Sequence, residues 1–330
     1  MKGLVKILAT LLISSSVVFA AEYTIKFSHV VSADTPKGRA ADFFAKRVKE
    51  LTDGKVKVDV YPSSQLYTDK AVMKALKMNS VQMAAPSFSK FTSLVPQLQI
   101  FDLPFLFRDK SHLHKVLDSE VGQTLKGFVE KKGYIALNYW DSGFKQLSSN
   151  KKALIKPEDA KGQKFRIMSS KVLEEQFIAL DANPQVLPFS EVYSALQQGV
   201  VDAAENPLAN FYTKKFHEVQ QYLTMSNHGY LGYLVVASKR FWKKLPADLR
   251  AKVTQAMNEA TEKERVWAEE EEAIYIKNLQ AYGKKSGNLE IFQLTDKERT
   301  LWKNKVEKIY EHFYDKKKIG KDLIEKVQKL

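Results

Sequence analysis

The sequence predicts an α/β protein of two lobes, each with its own sheet, joined by more than one crossing of the chain. Three observations predict it. Short strand-like and helix-like segments alternate from residue 23 to about 204, in two successive series. No Gly/Pro-rich linker separates the series. A long helical pattern follows Pro246, after both series are complete.

Tyr23, Ile25 and Phe27 alternate with Thr24 and Lys26, which is strand periodicity. Asp34-Thr35-Pro36 then reads as a helix start, with proline near the first turn. Ala40, Phe43, Phe44, Val48 and Leu51 recur at helical spacing until Gly54. Val56, Val58 and Val60 alternate as a second strand, 69–78 reads as a helix and 81–85 as a short buried strand. This order predicts a largely parallel sheet. Residues 103–107 form an apolar, packed loop. Two helical stretches follow, then a strand from Tyr134 to Trp140 and a turn at Asp141-Ser142-Gly143. The second series reads as strands at 164–168, 184–187 and 200–204, with helices at 172–180 and 190–198. Residues 229–238 are strand-like, the helix after Pro246 runs to about Gly283, 289–292 is a short strand, and the rest is amphipathic and helical.

Residues 1–20 read as a cleaved signal peptide. Lys2 and Lys6 precede an apolar stretch too short and too interrupted to span a bilayer, and Val18 and Ala20 are the small residues before a cut after Ala20. The chain has no cysteine, which excludes disulfides, thiolate metal sites and a lipid-modified cysteine anchor. The net charge of +14 raises a nucleic-acid partner. The lysines are instead scattered on polar helix faces, so no nucleic acid is expected, and a basic surface favours anionic ligands.

Catalytic and cofactor motifs are missing. The six histidines have no zinc spacing, and there is no Gly-x-Ser-x-Gly elbow, Walker loop or Gly-x-Gly-x-x-Gly turn. No metal or organic cofactor is expected. Three polar spots at strand ends carry a binding reading instead: Gly143-Phe144-Lys145, Arg166 within Lys164–Ile167, and Glu205-Asn206 after Val200–Ala204. An arginine in an apolar strand needs an anion, because its guanidinium stays charged. Either a ligand carboxylate, met through two parallel hydrogen bonds, or an internal Asp or Glu satisfies that need.

Several segments together resemble one known family. They are Phe27–Val31 with Asp34–Gly38, Tyr61–Leu66, Trp140–Lys145, Phe165–Ser170, Pro188–Gln197, Gly199–Asp202 with Glu205–Pro207, and Asn227–Tyr233. In this order they look like the periplasmic solute-binding proteins of TRAP transporters, the DctP type. The resemblance implies two lobes closing on an organic acid and a long helix spanning both. It divides the lobes as 21–143 with about 232–271, and 144–231 with about 272–330. It implies delivery of the ligand to integral membrane TRAP subunits, and no enzymatic activity.

By the same resemblance Arg166 pairs with the ligand carboxylate, Asn206 contacts the ligand and Phe189 lies beside it. Lys145 and Ser87 depart from the sialic-acid-binding relatives, and with Lys37 they look like the C4-dicarboxylate members. Succinate, fumarate and malate are the leading ligands. Arg166 would hold one carboxylate while Lys145 and Lys37 offset the other. Ser169, His29 and Tyr230 complete the candidate site; Lys37 also reads as an exposed first-turn lysine, Ser87 equally well as a strand-end cap, and His29 and Tyr230, the weaker candidates, as core residues. Two rival readings remain at this stage: another organic acid, and a secreted hydrolase or lyase acting on an acidic substrate.

Overall fold

The computed structural model describes residues 21–330; the expected signal segment lies outside the described residues. The first series is β1 (Tyr23–Ser28), α1 (Pro36–Leu51), β2 (Val56–Tyr61), α2 (Asp69–Met78) and β3 (Met83–Ala84), followed by α3 (Lys110–Asp118) and α4 (Glu120–Lys131). A long strand, β4 (Tyr134–Ser149), leads to β5 (Lys164–Ile167), α5 (Lys171–Ala179), β6 (Asn183–Val186), α6 (Val192–Gln197), β7 (Ala203–Asn206) and α7 (Leu208–Thr213). A second long strand, β8 (Tyr222–Ser238), precedes α8 (Lys239–Lys244), α9 (Ala247–Ser286), β9 (Glu290–Gln293), α10 (Asp296–Val306) and α11 (Lys321–Lys329).

Local chemistry explains the starts and stops. Thr35 caps α1 by accepting from the Gly38 amide, with Pro36 in the first turn, and Thr68 caps α2 in the same way. α9 ends at Gly287, whose φ of 70° is left-handed and suits a residue without Cβ. Its 40 residues correspond to about 60 Å of helix at ~1.5 Å per residue. The apolar face Leu249, Val253, Met257 and Ala260 belongs to the core with Phe44 and Trp140. Tyr275 and Leu279, about four to five turns further on, belong to a separate core with Phe211 and Phe216. One helix therefore packs on both lobes.

The strands run in the order β2-β1-β3-β8-β4-β7-β5-β6, with β9 beside β8. At one end β1 pairs in parallel with β2 and β3, and at the other β5 pairs in parallel with β6 and β7. Between them β4 and β8 are antiparallel and fuse what the sequence predicts as two sheets into one path. The turn expected at Asp141-Ser142-Gly143 is instead an irregularity within β4. The β4–β8 register shifts there and again after Lys145, and Gly143 has φ of 120°. The start of β4 and the end of β8 accompany β3, whereas the end of β4 accompanies β7. With a further shift between Ala136 and Tyr139, the irregularities occupy the middle of β4, between its β3-flanked start and its β7-flanked end.

The C-terminal segment is divided: α10 packs against α5 of the second series, and the last turns pack on the first series. Ile309, Phe313, Ile324 and Val327 pack in one core with Leu125, Val129 and Leu98. The His112 imidazole donates to the Val327 carbonyl at 2.8 Å. The apolar stripe of α11, with Ile324 and Val327 buried, packs against α4 there. Among the described residues no helix is long and apolar enough to cross a membrane.

Candidate functional site

Strand register decides which polar residues meet. β5 and β7 pair in parallel with Arg166 opposite Ala204, so the two share a face. Asn206, two residues beyond Ala204, points to that same face, and Glu205 points to the other. The shared face opens on a small chamber between the lobes. Val30, Asp69, Ser87 and Lys90 line it from the first series, and Arg166, Phe189 and Asn206 from the second. Val31, Met168, Asn210, Leu231 and Tyr233 complete the wall. The chamber shares Val30, Asp69, Lys90 and Phe189 with a wider groove of about 970 Å³, which leads to the surface.

Arg166 is 2% exposed. Its Nε and Nη2 both donate to the Leu187 carbonyl, at 3.2 and 2.9 Å. The guanidinium forms no ion pair among the described residues, although Glu205 and Asp69 lie near enough to favour its charge. Burial is the larger influence and lowers its pKa to about 10, which still leaves it charged at neutral pH. The Phe189 ring centre lies 6.0 Å from it. The Asn206 amide nitrogen is buried without a hydrogen-bond partner among the described residues. A buried cation held by a carbonyl, beside a buried idle donor, can accept an anionic oxygen ligand.

Lys145 is not part of that chamber, contrary to the sequence expectation. It is fully buried on the other face, with Nζ 2.7 Å from Glu205 Oε1 and 4.0 Å from Asp102 Oδ1. Glu205 Oε2 accepts from His228 Nε2 at 2.8 Å, and His228 Nδ1 lies 2.8 Å from the Ser226 hydroxyl. Burial lowers the His228 pKa, so the neutral ring accepts from Ser226 and donates to Glu205. The Lys145 charge is satisfied internally.

Lys37 is also withdrawn from the chamber. Its Nζ donates to the Ala85 carbonyl at 3.1 Å and sits 3.4 Å from the Tyr233 ring centre. Burial lowers its pKa to about 8, with Asp69 and Glu264 opposing. Tyr230 lies in the aromatic core against Phe88, Phe107 and Phe144, and its hydroxyl donates to Asp141. His29 is buried, with neither ring nitrogen paired to a side chain among the described residues. Burial and then Lys37 lower its pKa to about 3, so it is a neutral ring. Ser87 does line the chamber, where its Oγ lies 3.1 Å from Ser89 Oγ. Ser169 lines the outer groove.

The sequence reading missed Asp69, Lys90, Asn210 and Tyr233. Tyr233 lies in a segment that carried the resemblance. Asp69 stands beside a helix cap, which is the blander reason for an acid there. Lys90 ends a three-residue 3-10 turn, Phe88–Lys90, too short to show any periodicity.

The model of the bacterial extracellular solute-binding proteins, family 7 (DctP), matches residues 27–317. The chain belongs to that family. It is 47% identical, over 92% of its length and 90% of the relative's, to the C4-dicarboxylate-binding periplasmic protein DctP of Rhodobacter capsulatus. Among solved structures it resembles a TRAP periplasmic solute-binding protein of Sulfurospirillum deleyianum with bound succinate. The identity is 66% and the TM-score 0.91, covering 93% of this chain and 99% of that one. A Shewanella oneidensis TRAP solute-binding protein with bound succinate is 40% identical with a TM-score of 0.89, covering 93% and 98%. Family-7 proteins are solute-binding components of transport, so this one is a binding protein and not an enzyme. The hydrolase or lyase reading falls with that finding.

Proposed function

We propose that this protein is the periplasmic capture component of a TRAP transporter, binding succinate, fumarate or malate between its lobes. One observation carries the reading: Arg166 is buried at the lobe junction with a carbonyl, and no carboxylate, as its hydrogen-bond acceptor. Arg166 takes one ligand carboxylate, Asn206 adds an amide donor and Phe189 closes one side. Ser87 and Ser169 supply hydroxyls at the inner wall and the mouth. His29 and Lys37 act from behind the wall by shaping it. The bound ligands of the similar structures and the name of the Rhodobacter relative support a dicarboxylate.

The loaded protein delivers its ligand to integral membrane TRAP subunits. Its first lobe centres on β1–β3 and its second on β5–β7, with the hinge in the irregular middle of β4 and β8. Export follows the signal peptide, with cleavage after Ala20.

A thermal-shift screen of organic acids tests the ligand class, because a ligand stabilises the folded state according to its occupancy. Succinate, fumarate or malate should raise the melting temperature, and sialic acid should not. A larger shift with sialic acid or an aromatic monoacid overturns the assignment. N-terminal sequencing of periplasmic protein should begin at Ala21; a chain retaining Met1 in the membrane fraction overturns export with cleavage.

A further inference from the structure

The dicarboxylate reading leaves the second carboxylate without a partner, since Lys145 is spent on Glu205 and Lys37 on Ala85 and Tyr233. Lys90 is the lysine that lines both the inner chamber and the outer groove. Its place is set by rigid packing. Phe88, two residues earlier in the same turn, stacks on Phe101 with ring centres 4.1 Å apart and meets Tyr139 edge-on. Ser87, just before the turn, bridges to Tyr233 of β8. The ammonium stands on the seam between lobes, 3.5 Å from the Ser169 hydroxyl, and forms no ion pair among the described residues.

The same seam is tied beside it. Thr92 Oγ1 donates to the Ser169 carbonyl at 3.2 Å, and the Lys171 amide donates to Gln99 Oε1 at 3.1 Å. Asp69 also lines the chamber and tempers the local positive charge. Burial lowers the Lys90 pKa, with Asp69 opposing and Arg166 adding to it, so an anion placed between the two cations relieves a mutual repulsion.

We infer that Lys90 binds the far carboxylate of a diacid whose near carboxylate is held by Arg166, and so sets the preference for two carboxylates over one. This rests on the dicarboxylate reading of the site. A monoacid of the same length would leave Lys90 facing a methyl group and gain nothing from it.

The test is titration calorimetry with succinate and butyrate on the parent, Lys90→Gln and Lys90→Arg, each checked for folding by circular dichroism. Lys90→Gln should weaken succinate more than tenfold and leave butyrate unchanged, collapsing the ratio of the two affinities. Lys90→Arg should restore most of the ratio. An unchanged ratio in Lys90→Gln overturns the assignment. An equal loss for both ligands also overturns it, because Lys90 would then act on lobe closure alone. If the parent binds neither succinate, fumarate nor malate, the dicarboxylate reading itself fails, whatever the variants do.

Discussion

Two buried cations stand on opposite faces of the same sheet, and their surroundings differ. Lys145 sits between Glu205 and Asp102, with His228 and Ser226 completing the network. Arg166 has the Leu187 carbonyl and an idle Asn206 amide nearby. The first cation is neutralised by the fold and holds the fold together. The second is left short of an anion and is available to a ligand. A buried charge is therefore informative about function through its missing partner, and not through its burial.

The largest expected effect comes from breaking the satisfied pair. Lys145→Met leaves Glu205 buried without its cation, and truncating one member of such a pair costs about 3–5 kcal/mol of stability. Chemical denaturation should show that loss, and Lys145→Met with Glu205→Gln should recover much of it. A single variant as stable as the parent would mean that the pair contributes nothing.

Arg166→Ala should behave in the opposite way. Ligand affinity should fall by about 2–5 kcal/mol, well over tenfold, because a desolvated carboxylate loses its partner. The melting temperature without ligand should change little. Arg166→Lys should also weaken binding, since it keeps the charge and loses the planar fork. If Arg166→Ala instead bound diacid like the parent but unfolded readily, the roles of the two cations would have to be exchanged.

The two carboxylates beside Lys145 give the comparison a pH signature. Burial pushes Glu205 up, but the Lys145 ammonium and the His228 N–H outweigh it and hold its pKa at about 2. Its contribution to stability is present above its ordinary 4.5 and is lost as pH falls toward 2. Asp102 is the reverse case: burial pushes it up to about 6, against Lys145. Its contribution is present below its ordinary 3.8 and is lost as pH rises through 6. Asp102→Asn should therefore stabilise the protein at pH 7, by on the order of 2 kcal/mol, and flatten the slope between pH 4 and 7. Denaturation curves across that range measure it; an unaltered slope would place the titration elsewhere.

The smallest expected effect is at Asn206. Asn206→Ala removes one neutral donor and should cost about 1–1.5 kcal/mol of binding, roughly tenfold, with unchanged stability. A loss equal to that of Arg166→Ala in the same calorimetric series would make Asn206 a co-anchor.

Much of this is legible in the amino-acid sequence. The Thr35-Pro36 helix start, the alternating valines of β2, the arginine inside an apolar strand and the asparagine at a strand end are all local patterns. They follow from chain geometry at two- or four-residue spacing, so they can be read along the chain. The length of the helix after Pro246 was legible for the same reason.

The partners of the charges were not. Glu205 lies 60 residues from Lys145, and the bulges on both sides of Lys145 break the two-residue count that tells which face a side chain takes. Lys90 stands on a turn too short to have a period, and its neighbours Ser169 and Arg166 come from the other lobe. The packing of α11 on the first series depends on which apolar surface is left uncovered once the other elements have packed. Backbone preference and patterning act over a few residues and are written in the chain. Whether a given cation is paired or waiting depends on distances between remote segments, and only folding sets those.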